Sequence, residues 1–564
     1  MSIQFDEEKQ KQKLESVRHK EEEDLAQTLS TKYAVPYINL SGVAIATDAL
    51  RLIDEKTARD LKVAPFSLIG KKVAVGALSP IRAGISQLIQ KLKDDGYEPE
   101  LYIISNDSLE KTWGRYQDLS FAKRTEAGSL EISSEEVSIR AKELATIKDT
   151  AVLIKKTIDE KQRLRVSHIM EIILAGALAA EASDIHIEPE ESYVRMRYRL
   201  DGVLNDVLNF DHDTYNLLSS RIKLLSGLKL NIKSEAQDGR FSVKIGEVDI
   251  EIRTSVLPGN YGESIVLRVL NPKTIAVPFE ELGMDQKLRD VIALELNKPN
   301  GMILTTGPTG SGKTTTLYAF LKKIHTSAVK IITIEDPIEY HLPGIVQTQT
   351  DDKEYTFANG LRSSLRQDPD VIMVGEIRDN ETADIAINAS LTGHLVFSTL
   401  HTNDAAGAYP RLIDLGINPK ILGSAVTLTM AQRLVRRLCP VCKKKTPPNA
   451  IDKEKIEKIL KTLPSNEAAP KDWQTFEPVG CAKCNHTGFR GRIGVFEGIK
   501  TDEAIEKLIN ENPSDREIRK LAKPQGLLTM QQDGIIKVLG GVTSLEELAR
   551  VVDLEQDTEQ EIVN

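Results

Sequence analysis

The sequence predicts an α/β fold organised around a phosphate-binding loop, and three observations support that prediction. The apolar run Met302–Thr305 is typical of a short buried strand. Directly after it, Gly307, Gly312, Lys313 and Thr314 meet the spacing Gly-x-x-x-x-Gly-Lys-Ser/Thr. Apolar residues at helical spacing then follow the loop. Strand, glycine-rich loop and helix in this order favour a phosphate site over the alternative, a glycine-rich turn with a chance lysine.

The residues of this loop supply what an anionic ligand needs. Glycine lets successive backbone N–H groups converge on one anion, and the start of a helix adds the positive end of its dipole. Lys313 would reach the outer phosphates of a nucleotide, and the Thr314 hydroxyl would ligate Mg²⁺. The predicted nucleotide-binding residues are Gly307, Pro308, Thr309, Gly310, Ser311, Gly312, Lys313, Thr314 and Thr315.

Length and composition limit the class of protein. A chain of 564 residues is too long for one core, and the usual size of about 100–200 residues per domain predicts three or four domains. No apolar run approaches the ~18–20 residues that span a bilayer, and the amino terminus lacks the apolar segment of a signal peptide. We therefore expect a cytoplasmic protein. The net charge of −9 argues against a nucleic-acid coat protein.

Changes of pattern along the chain predict its organisation. The predicted segments, in chain order, are a charged helical lead-in over 1–32, a small α/β domain over 33–125, a linker over 126–150, an α+β domain over 151–275 and the nucleotide-binding α/β domain over 276–564. The last domain would carry an insertion over 436–492 and a helical tail over 501–556. The linker prediction rests on a composition rich in Lys, Glu, Thr and Ser with little apolar spacing.

The α+β prediction rests on alternating apolar runs on either side of Gly246-Glu247, which are typical of an antiparallel hairpin. Three arginines stand out in this domain, Arg240, Arg253 and Arg268. Arg253 shares a strand face with Glu251, and two interpretations of it stay open. It could form a cross-strand ion pair, or it could carry charge to a phosphate held by another subunit.

Two further apolar strands end in acidic residues. One runs into Glu335 and Glu339, and the other runs through Gly375 into Glu376. Because a parallel sheet binds its ligand at the carboxyl ends of its strands, these acids would lie on the edge that carries Lys313. We expect Glu376 to position the attacking water, with Glu335 and Glu339 next in line. Caps of the following helices are the less favoured alternative.

Two more features belong to this predicted edge. Gly375 stands where such strands usually have aspartate, so Mg²⁺ would be held mainly by Thr314, phosphates and waters. A third strand ends at Leu400 and is followed by His401. A neutral imidazole beside a γ-phosphate can report hydrolysis or orient a neighbour, although a lone histidine is more often a structural hydrogen-bond partner.

The four cysteines fall into two Cys-x-x-Cys pairs, Cys439 with Cys442 and Cys481 with Cys484. Four thiolates in two tight pairs match a tetrahedral structural Zn²⁺ site, which leaves no open position for catalysis. Disulfides are not expected in a cytosolic chain. The basic residues around the first pair lack interleaved aromatics, so we expect solvent or an acidic partner there and no direct contact with nucleic acid.

Together these motifs resemble one family, the secretion motor ATPases of type II secretion and type IV pilus assembly, GspE and PilB. The resemblance runs from about Tyr33 to Val552 and rests on the phosphate loop, both cysteine pairs and five further stretches. These stretches are Asp184–Pro189, Ile334–Tyr340, Asp368–Asp379, Thr392–Asp404 and Gly488–Arg492. At the extreme amino terminus, the charged helix does not show the paired cyclic-dinucleotide-binding repeats of some relatives.

The resemblance implies a RecA-like P-loop ATPase domain preceded by a PAS-like α+β domain and a small α/β amino-terminal domain, with a zinc-stapled helical insertion. Glu376 would match the catalytic glutamate and His401 the His-box residue. Arg253 and Arg268 would match arginines offered to the nucleotide, and the family's amino-terminal sheet domain closes on the nucleotide domain of a neighbouring subunit.

The resemblance also implies a biological role. It implies a homohexamer that hydrolyses ATP in the cytoplasm, peripherally at the inner face of the cytoplasmic membrane, and acts on an inner-membrane platform protein. The cysteine pairs and the domain at 33–120 favour assembly of type IV pili over retraction. Type II secretion is the main alternative, and a nucleic-acid translocase is a less favoured one.

Overall fold

The computed structural model of this chain describes residues 22–555, apart from 42, 44, 46, 51, 70, 95, 119–133, 145, 160–164, 246–247, 273–276, 352–353, 466 and 468–472. Its contacts divide the chain into two compact units, Met1–Arg124 and Thr125–Asn564. The predicted turn at Gly246-Glu247 and residues 1–21 of the predicted lead-in lie outside the described residues. No helix in the described part of the chain combines the length and the apolar character needed to cross a membrane.

The first unit contains a three-stranded sheet. Its strands are β1 (Val63–Ile69), β2 (Lys72–Ala77) and β3 (Glu98–Ile103). Strand β2 pairs antiparallel with β1 and parallel with β3. The helices of this unit are 22–33, Thr47–Leu50, Glu55–Leu61, Ile85–Asp94 and Asn106–Gly114. Apolar side chains of strands and helices share one core, so the predicted small α/β fold is confirmed.

The second unit begins with a six-stranded antiparallel sheet in the order β6-β5-β4-β9-β8-β7. Its strands are β4 (Asp184–Pro189), β5 (Val194–Leu200), β6 (Val203–Phe210), β7 (Gln237–Ile245), β8 (Val248–Gly259) and β9 (Gly262–Leu270). Four helices share its core: Ser134–Glu143, Ile147–Asp159, Arg165–Ala179 and His212–Leu225. Along β5 every second residue is buried in that core, as the alternating pattern predicts. The predicted α+β domain is confirmed.

Two of these helices correct the predicted linker over 126–150. Helix Ser134–Glu143 and the start of Ile147–Asp159 lie inside that range. Val137 and Ile147 are buried in the core of the sheet domain. The apolar residues of Ser134–Glu143 are sparse, but about one per helical turn is enough to form a contact stripe against a neighbouring helix. The α+β domain therefore begins before residue 151.

The nucleotide domain is built on a seven-stranded sheet in the order β12-β11-β13-β14-β10-β15-β18. The strands of this part of the chain are β10 (Gly301–Thr306), β11 (Ile331–Glu335), β12 (Val346–Gln349), β13 (Val371–Val374), β14 (Leu395–Leu400), β15 (Val426–Leu438), β16 (Lys444–Thr446), β17 (Thr475–Glu477) and β18 (Phe489–Lys500). Only β18 runs antiparallel to its neighbour in the large sheet. Strands β10, β11, β13 and β14 are buried along their whole length, which explains their continuous apolar character.

Helices cover this sheet and complete the domain. They are Gln286–Leu296, Lys313–Ile324, Phe357–Leu365, Asn380–Leu391, Ala408–Asp414, Pro419–Ala425, Ala450–Lys461, Glu503–Ile509, Asp515–Ala522, Met530–Leu539 and Leu545–Ala549. Ala450–Lys461 and the two-stranded sheet β16-β17 form the excursion between the cysteine pairs. The last four helices form the predicted helical tail, and their apolar residues are buried in the same core as the large sheet.

Candidate active site and metal centre

The carboxyl ends of four parallel strands meet at one edge of the large sheet. Strand β13 pairs with β11 and β14, and β14 pairs with β10. Strand β11 ends at Glu335, and β13 leads into Glu376. Strand β14 leads into His401, and β10 leads into the phosphate loop. Parallel pairing thus brings together residues that are far apart in the sequence, at the edge where α/β sheets bind ligands.

Three glycines give the phosphate loop its shape. Gly307, Gly310 and Gly312 have φ angles of 142°, 79° and 89°, which side chains disfavour. A Cβ at Gly307 would also lie 2.6 Å from the backbone oxygen of Gln432. The other predicted loop residues are Pro308, Thr309 and Ser311, with Thr314 and Thr315 in the first turn of helix Lys313–Ile324. The loop therefore leads directly into a helix start, as an anion site requires.

Lys313 lies over the loop. Its Nζ donates hydrogen bonds to the backbone oxygens of Gly307 and Pro308 at 2.8 and 3.0 Å. Burial lowers the pKa of Lys313, and the negative charge of Glu376 opposes that shift. Because the hydrogen-bond partners are neutral carbonyls, the charge of Lys313 can act on a phosphate. Thr314 follows it in the first turn of the same helix.

Glu376 lies two residues beyond the end of β13 and is held from two sides. Arg378 forms an ion pair with its Oε1, and His401 Nε2 lies 3.1 Å from its Oε2. Arg378 also lies 3.7 Å from Asp336, so it bridges the two acid-tipped strands. The Glu376 side chain is 15% exposed. It is therefore oriented by neighbours, close enough to Lys313 to affect that residue's pKa, and still accessible to a water molecule.

Glu335 has a different environment. It is 2% exposed and accepts hydrogen bonds from the hydroxyls of Tyr318 and Thr333 and, at 3.1 Å, from the amide of Gln347. Burial raises the pKa of Glu335. Since Tyr318 belongs to helix Lys313–Ile324, the carboxylate ties that helix to β11. This geometry favours a positioning role over the water-positioning role for which the sequence also made Glu335 a candidate.

The three arginines of the α+β domain form a row across neighbouring strands. Arg240 on β7 is directly opposite Arg253 on β8, which is directly opposite Arg268 on β9. The ion pairs of Arg253 are with Glu251 on its own strand, at 3.0 Å, and with Glu339 outside the sheet, at 3.9 Å. The interpretation of Arg253 as half of a cross-strand ion pair is therefore wrong. Arg268 donates to Asp184 at 3.2 Å, whereas Arg240 has no ion-pair or hydrogen-bond partner among the described residues. Like charges in direct register are destabilising, so this arginine row indicates an anion site.

The arginine row faces residues 335–339 of the same chain, which we call the acidic segment. The Arg253 guanidinium donates to the backbone oxygen of Ile338 and lies 3.9 Å from Glu339 Oε2. Pro337 and Gln349 line the same cleft as the three arginines, and its volume is about 520 Å³. Glu339, which the sequence placed among the catalytic candidates, thus contacts the α+β domain.

Sequence reasoning missed the part that β15 plays beneath the loop. Thr316 donates to the side-chain oxygen of buried Gln432 at 2.8 Å, and Arg433 donates to the backbone oxygen of Asn403 at 2.8 Å. Both contacts depend on the parallel pairing of β15 with β10. Local periodicity does not show which distant strand pairs with β15. No signal in the sequence could therefore have identified these residues.

The four cysteines form a compact cluster. The Sγ–Sγ distances are 3.9 Å for Cys439–Cys481 and 3.8 Å for both Cys442–Cys484 and Cys481–Cys484. All four sulfurs lie within 4.8 Å of one another. A tetrahedral ion with Zn–S bonds of about 2.3 Å needs sulfurs about 3.8 Å apart. The cluster therefore fits a tetrahedral metal ion.

Backbone N–H groups prepare one of these thiols for ionisation. Those of Cys481 and Gly488 lie 3.2 and 3.3 Å from Cys484 Sγ. Burial opposes ionisation, but these N–H groups together with hydrogen bonds from the thiols of Cys442 and Cys481 lower the pKa of Cys484 to about 7. A thiolate is the form that binds a metal ion.

Comparison with known proteins agrees with this geometry. The chain matches the family described as Type II/IV secretion system protein over residues 159–550, and the MshEN domain over 33–122. It is 36% identical over 535 residues to the type IV pilus assembly ATPase PilB of Myxococcus xanthus, covering 94% of this chain and 91% of that protein. It is 46% identical over 387 residues to type II secretion system protein E of Aeromonas hydrophila, covering 68% of this chain and 75% of that protein.

A solved structure shares the fold. The ATPase DotB of Yersinia pseudotuberculosis superposes with a TM-score of 0.51 at 20% identity, covering 69% of this chain and 94% of that one. The family match covers more than half of this chain and includes the phosphate loop, the acid-tipped strands and both cysteine pairs. This chain therefore belongs to the Type II/IV secretion system protein family, as an ATPase of its PilB/GspE group.

Proposed function

We propose that this chain is the cytoplasmic motor ATPase of type IV pilus assembly. It works as a homohexamer at the inner face of the cytoplasmic membrane and moves an inner-membrane platform protein. The observation that carries the proposal is the arginine row. Through Arg253 it joins the α+β domain to the nucleotide domain by a hydrogen bond and an ion pair, and both contacts depend on the charge of the arginine. Similarity to PilB over 94% of the chain supports the pilus role.

The site residues divide the work of hydrolysis. Lys313 and the loop N–H groups hold the β- and γ-phosphates of ATP, and the Thr314 hydroxyl ligates Mg²⁺. Glu376 orients the attacking water, and His401 holds Glu376 in place through their 3.1 Å contact. Phosphoryl transfer depends almost entirely on such positioning and on charge neutralisation. Glu335 keeps helix Lys313–Ile324 in register with the sheet.

The arginine row supplies charge to the same nucleotide. Arg253 and Arg268 stabilise the negative charge that develops at the γ-phosphate, a contribution worth about 10³–10⁵ in rate where it has been measured. The sequence resemblance implied delivery from an adjoining subunit. The contacts of Arg253 with Ile338 and Glu339 support delivery within one chain instead. Loss of the γ-phosphate weakens the attraction between the domains, and this change of attraction produces the movement.

The cysteine cluster holds a structural Zn²⁺ ion. Cys439, Cys442, Cys481 and Cys484 supply all four ligands, so the ion closes the excursion that contains helix Ala450–Lys461. Zinc in a closed four-thiolate site takes no part in phosphoryl transfer.

Type II secretion is the second candidate, because the chain is 46% identical to type II secretion system protein E of Aeromonas hydrophila. Deleting the gene in its own organism separates the two. Loss of surface fibres with normal protein secretion supports pilus assembly, and loss of secreted enzymes with normal fibres supports the second candidate. ATP turnover that rises with DNA, and not with the cytoplasmic part of a platform protein, would contradict both.

A further inference from the structure

The α+β domain and the nucleotide domain also touch beside the cysteine cluster. Asn485 follows Cys484 directly, and its Oδ1 accepts a hydrogen bond of 2.9 Å from the backbone N–H of Ile147. Ile147 is the first residue of helix Ile147–Asp159. Asn485 therefore satisfies one of the N–H groups that every helix start leaves without an internal partner.

A second contact lies a few residues further on. The backbone N–H of Gly491 donates to Asp201 Oδ2 at 3.0 Å. Asp201 lies in the tight turn between β5 and β6 and has a φ of 48°. Arg490 lies 3.7 Å from Glu181, but both side chains are more than half exposed, so this ion pair adds little. We call the Asn485–Ile147 and Asp201–Gly491 contacts together the clasp.

The cysteine cluster determines where Asn485 lies. Asn485 and His486 both have left-handed backbones, with φ of 50° and 60°. The His486 N–H donates to the backbone oxygen of Cys481 at 2.9 Å. An ion held by the four thiolates would fix Cys481 and Cys484, and it would therefore also fix the two left-handed residues that follow.

The clasp and the arginine row hold the sheet domain at separate places. Asp201 lies at the end of β5 and Arg253 lies on β8, with β4 and β9 between those strands. Three strand spacings of about 4.8 Å put them about 14 Å apart across the sheet. One contact would leave the domain free to pivot, whereas two separated contacts define its orientation.

We propose that Asn485 and Asp201 are positioning residues, through which the metal-stapled segment holds the arginine row over the acidic segment of the same chain. This inference rests on the proposed catalytic use of the arginine row. It gives the cysteine cluster a role in turnover as well as in stability.

Three single variants isolate the contact of Asn485. N485G removes the acceptor and keeps a residue that tolerates the left-handed backbone. N485D keeps an acceptor at the helix start. N512G is the matched control, because exposed Asn512 also has a left-handed φ of 56° and its side chain makes no hydrogen bond within the described residues.

The test uses full-length, zinc-loaded protein. We expect N485G to keep its zinc content and its affinity for fluorescently labelled ADP. Hydrogen exchange at the start of helix Ile147–Asp159 should rise about 5-fold, the effect of one lost hydrogen bond. Its kcat should fall by a similar factor, because the arginine row is no longer held in place. N485D and N512G should behave like the parent protein.

The same substitution in an Arg253→Ala background identifies the route of the effect. If Asn485 acts through the arginine row, N485G should lower kcat by less than about 2-fold there. An equal loss in both backgrounds, or unchanged exchange in N485G, would overturn the inference. Normal turnover by Arg253→Ala alone would instead overturn the proposed function, and the role of the clasp in turnover with it.

Discussion

Arg253 on strand β8 donates a hydrogen bond to the backbone oxygen of Ile338, which lies in the acidic segment of the nucleotide domain. The adjacent strands place Arg240 and Arg268 directly beside Arg253. A row of three like charges opposes folding of the sheet unless an anion or an acidic group faces it. Through Arg253, this row connects the α+β domain to the acidic segment of the nucleotide domain.

The arginine row predicts a graded set of losses. Arg253→Ala and Arg268→Ala should each lower kcat by at least about 10²-fold, because each removes charge needed at the γ-phosphate. Arg240→Ala should act mainly by raising the KM for ATP, since the Arg240 side chain forms no hydrogen bond or ion pair with the described residues and lies in the same cleft. Lys244→Ala, exposed on the same face of β7 and outside that cleft, is the control. Steady-state ATPase assays measure all four, and equal activity in Arg240→Ala and Lys244→Ala would exclude a role for Arg240.

Glu376→Gln should bind ATP and fail to turn it over. The amide keeps the size of the side chain and its contact with His401 but cannot accept a proton, so kcat should fall by about 10²–10⁴-fold. Nucleotide affinity, measured by equilibrium binding, should stay within about 3-fold because Lys313 and the loop are unchanged. Turnover near the parent value would assign the water to another residue.

Local patterns predicted much of this site. The spacing of Gly307, Gly312 and Lys313 specifies the loop, because glycine is needed where φ is positive and the helix must start directly after it. Continuous apolar runs predicted buried parallel strands, and the acids at their ends had to meet at one edge. The two Cys-x-x-Cys pairs likewise predicted the four-cysteine cluster, because each pair is a short local pattern.

The remaining features depend on contacts between distant segments. The alignment of Arg240 with Arg253 and Arg268 depends on strand register. The alternating pattern does not specify the register, because a shift by any even number of residues keeps every side chain on the same face. Helix Ser134–Glu143 was predicted as linker because its polar faces dominate its composition. Gln432 under the phosphate loop depends on the pairing of β15 with β10. In each case tertiary packing, and not local preference, decides the outcome.

Replacing a cysteine should remove the metal and open the excursion. Cys484→Ser should lower bound zinc from about one ion per chain to near zero, since the closed site needs all four thiolates. Proteolysis should then become faster around helix Ala450–Lys461. Metal analysis and limited proteolysis, with Ser424→Ala as an exposed control, measure both effects. Full zinc occupancy in Cys484→Ser would contradict the four-thiolate site.

Glu547 should make the free energy of unfolding depend on pH. It accepts charged hydrogen bonds from Arg436, at 2.9 Å, and from Arg550. Burial opposes ionisation, but these arginines outweigh it and the pKa of Glu547 lies below its usual value. A lowered pKa stabilises the fold above the unfolded-state value, and that stabilisation is lost as pH falls through the folded-state value.

Glu547→Gln should therefore cost about 1–3 kcal/mol of unfolding free energy at pH 7. The difference from the parent should shrink as the pH falls below about 4.5, where the unfolded carboxyl becomes protonated. Urea unfolding at a series of pH values gives both quantities. A cost that is constant with pH would mean that the loss comes from packing and not from charge.

Mixed assemblies test the central claim that the arginine row serves the nucleotide of its own chain. Differently tagged Lys313→Ala and Arg268→Ala subunits are co-assembled, both tags are used to isolate mixed particles, and their ATP turnover is measured. Neither subunit then carries a complete site, so we expect turnover no higher than the average of the two parent variants. Recovery of a substantial fraction of wild-type turnover in the mixed particles would show instead that the arginines act on a neighbouring chain.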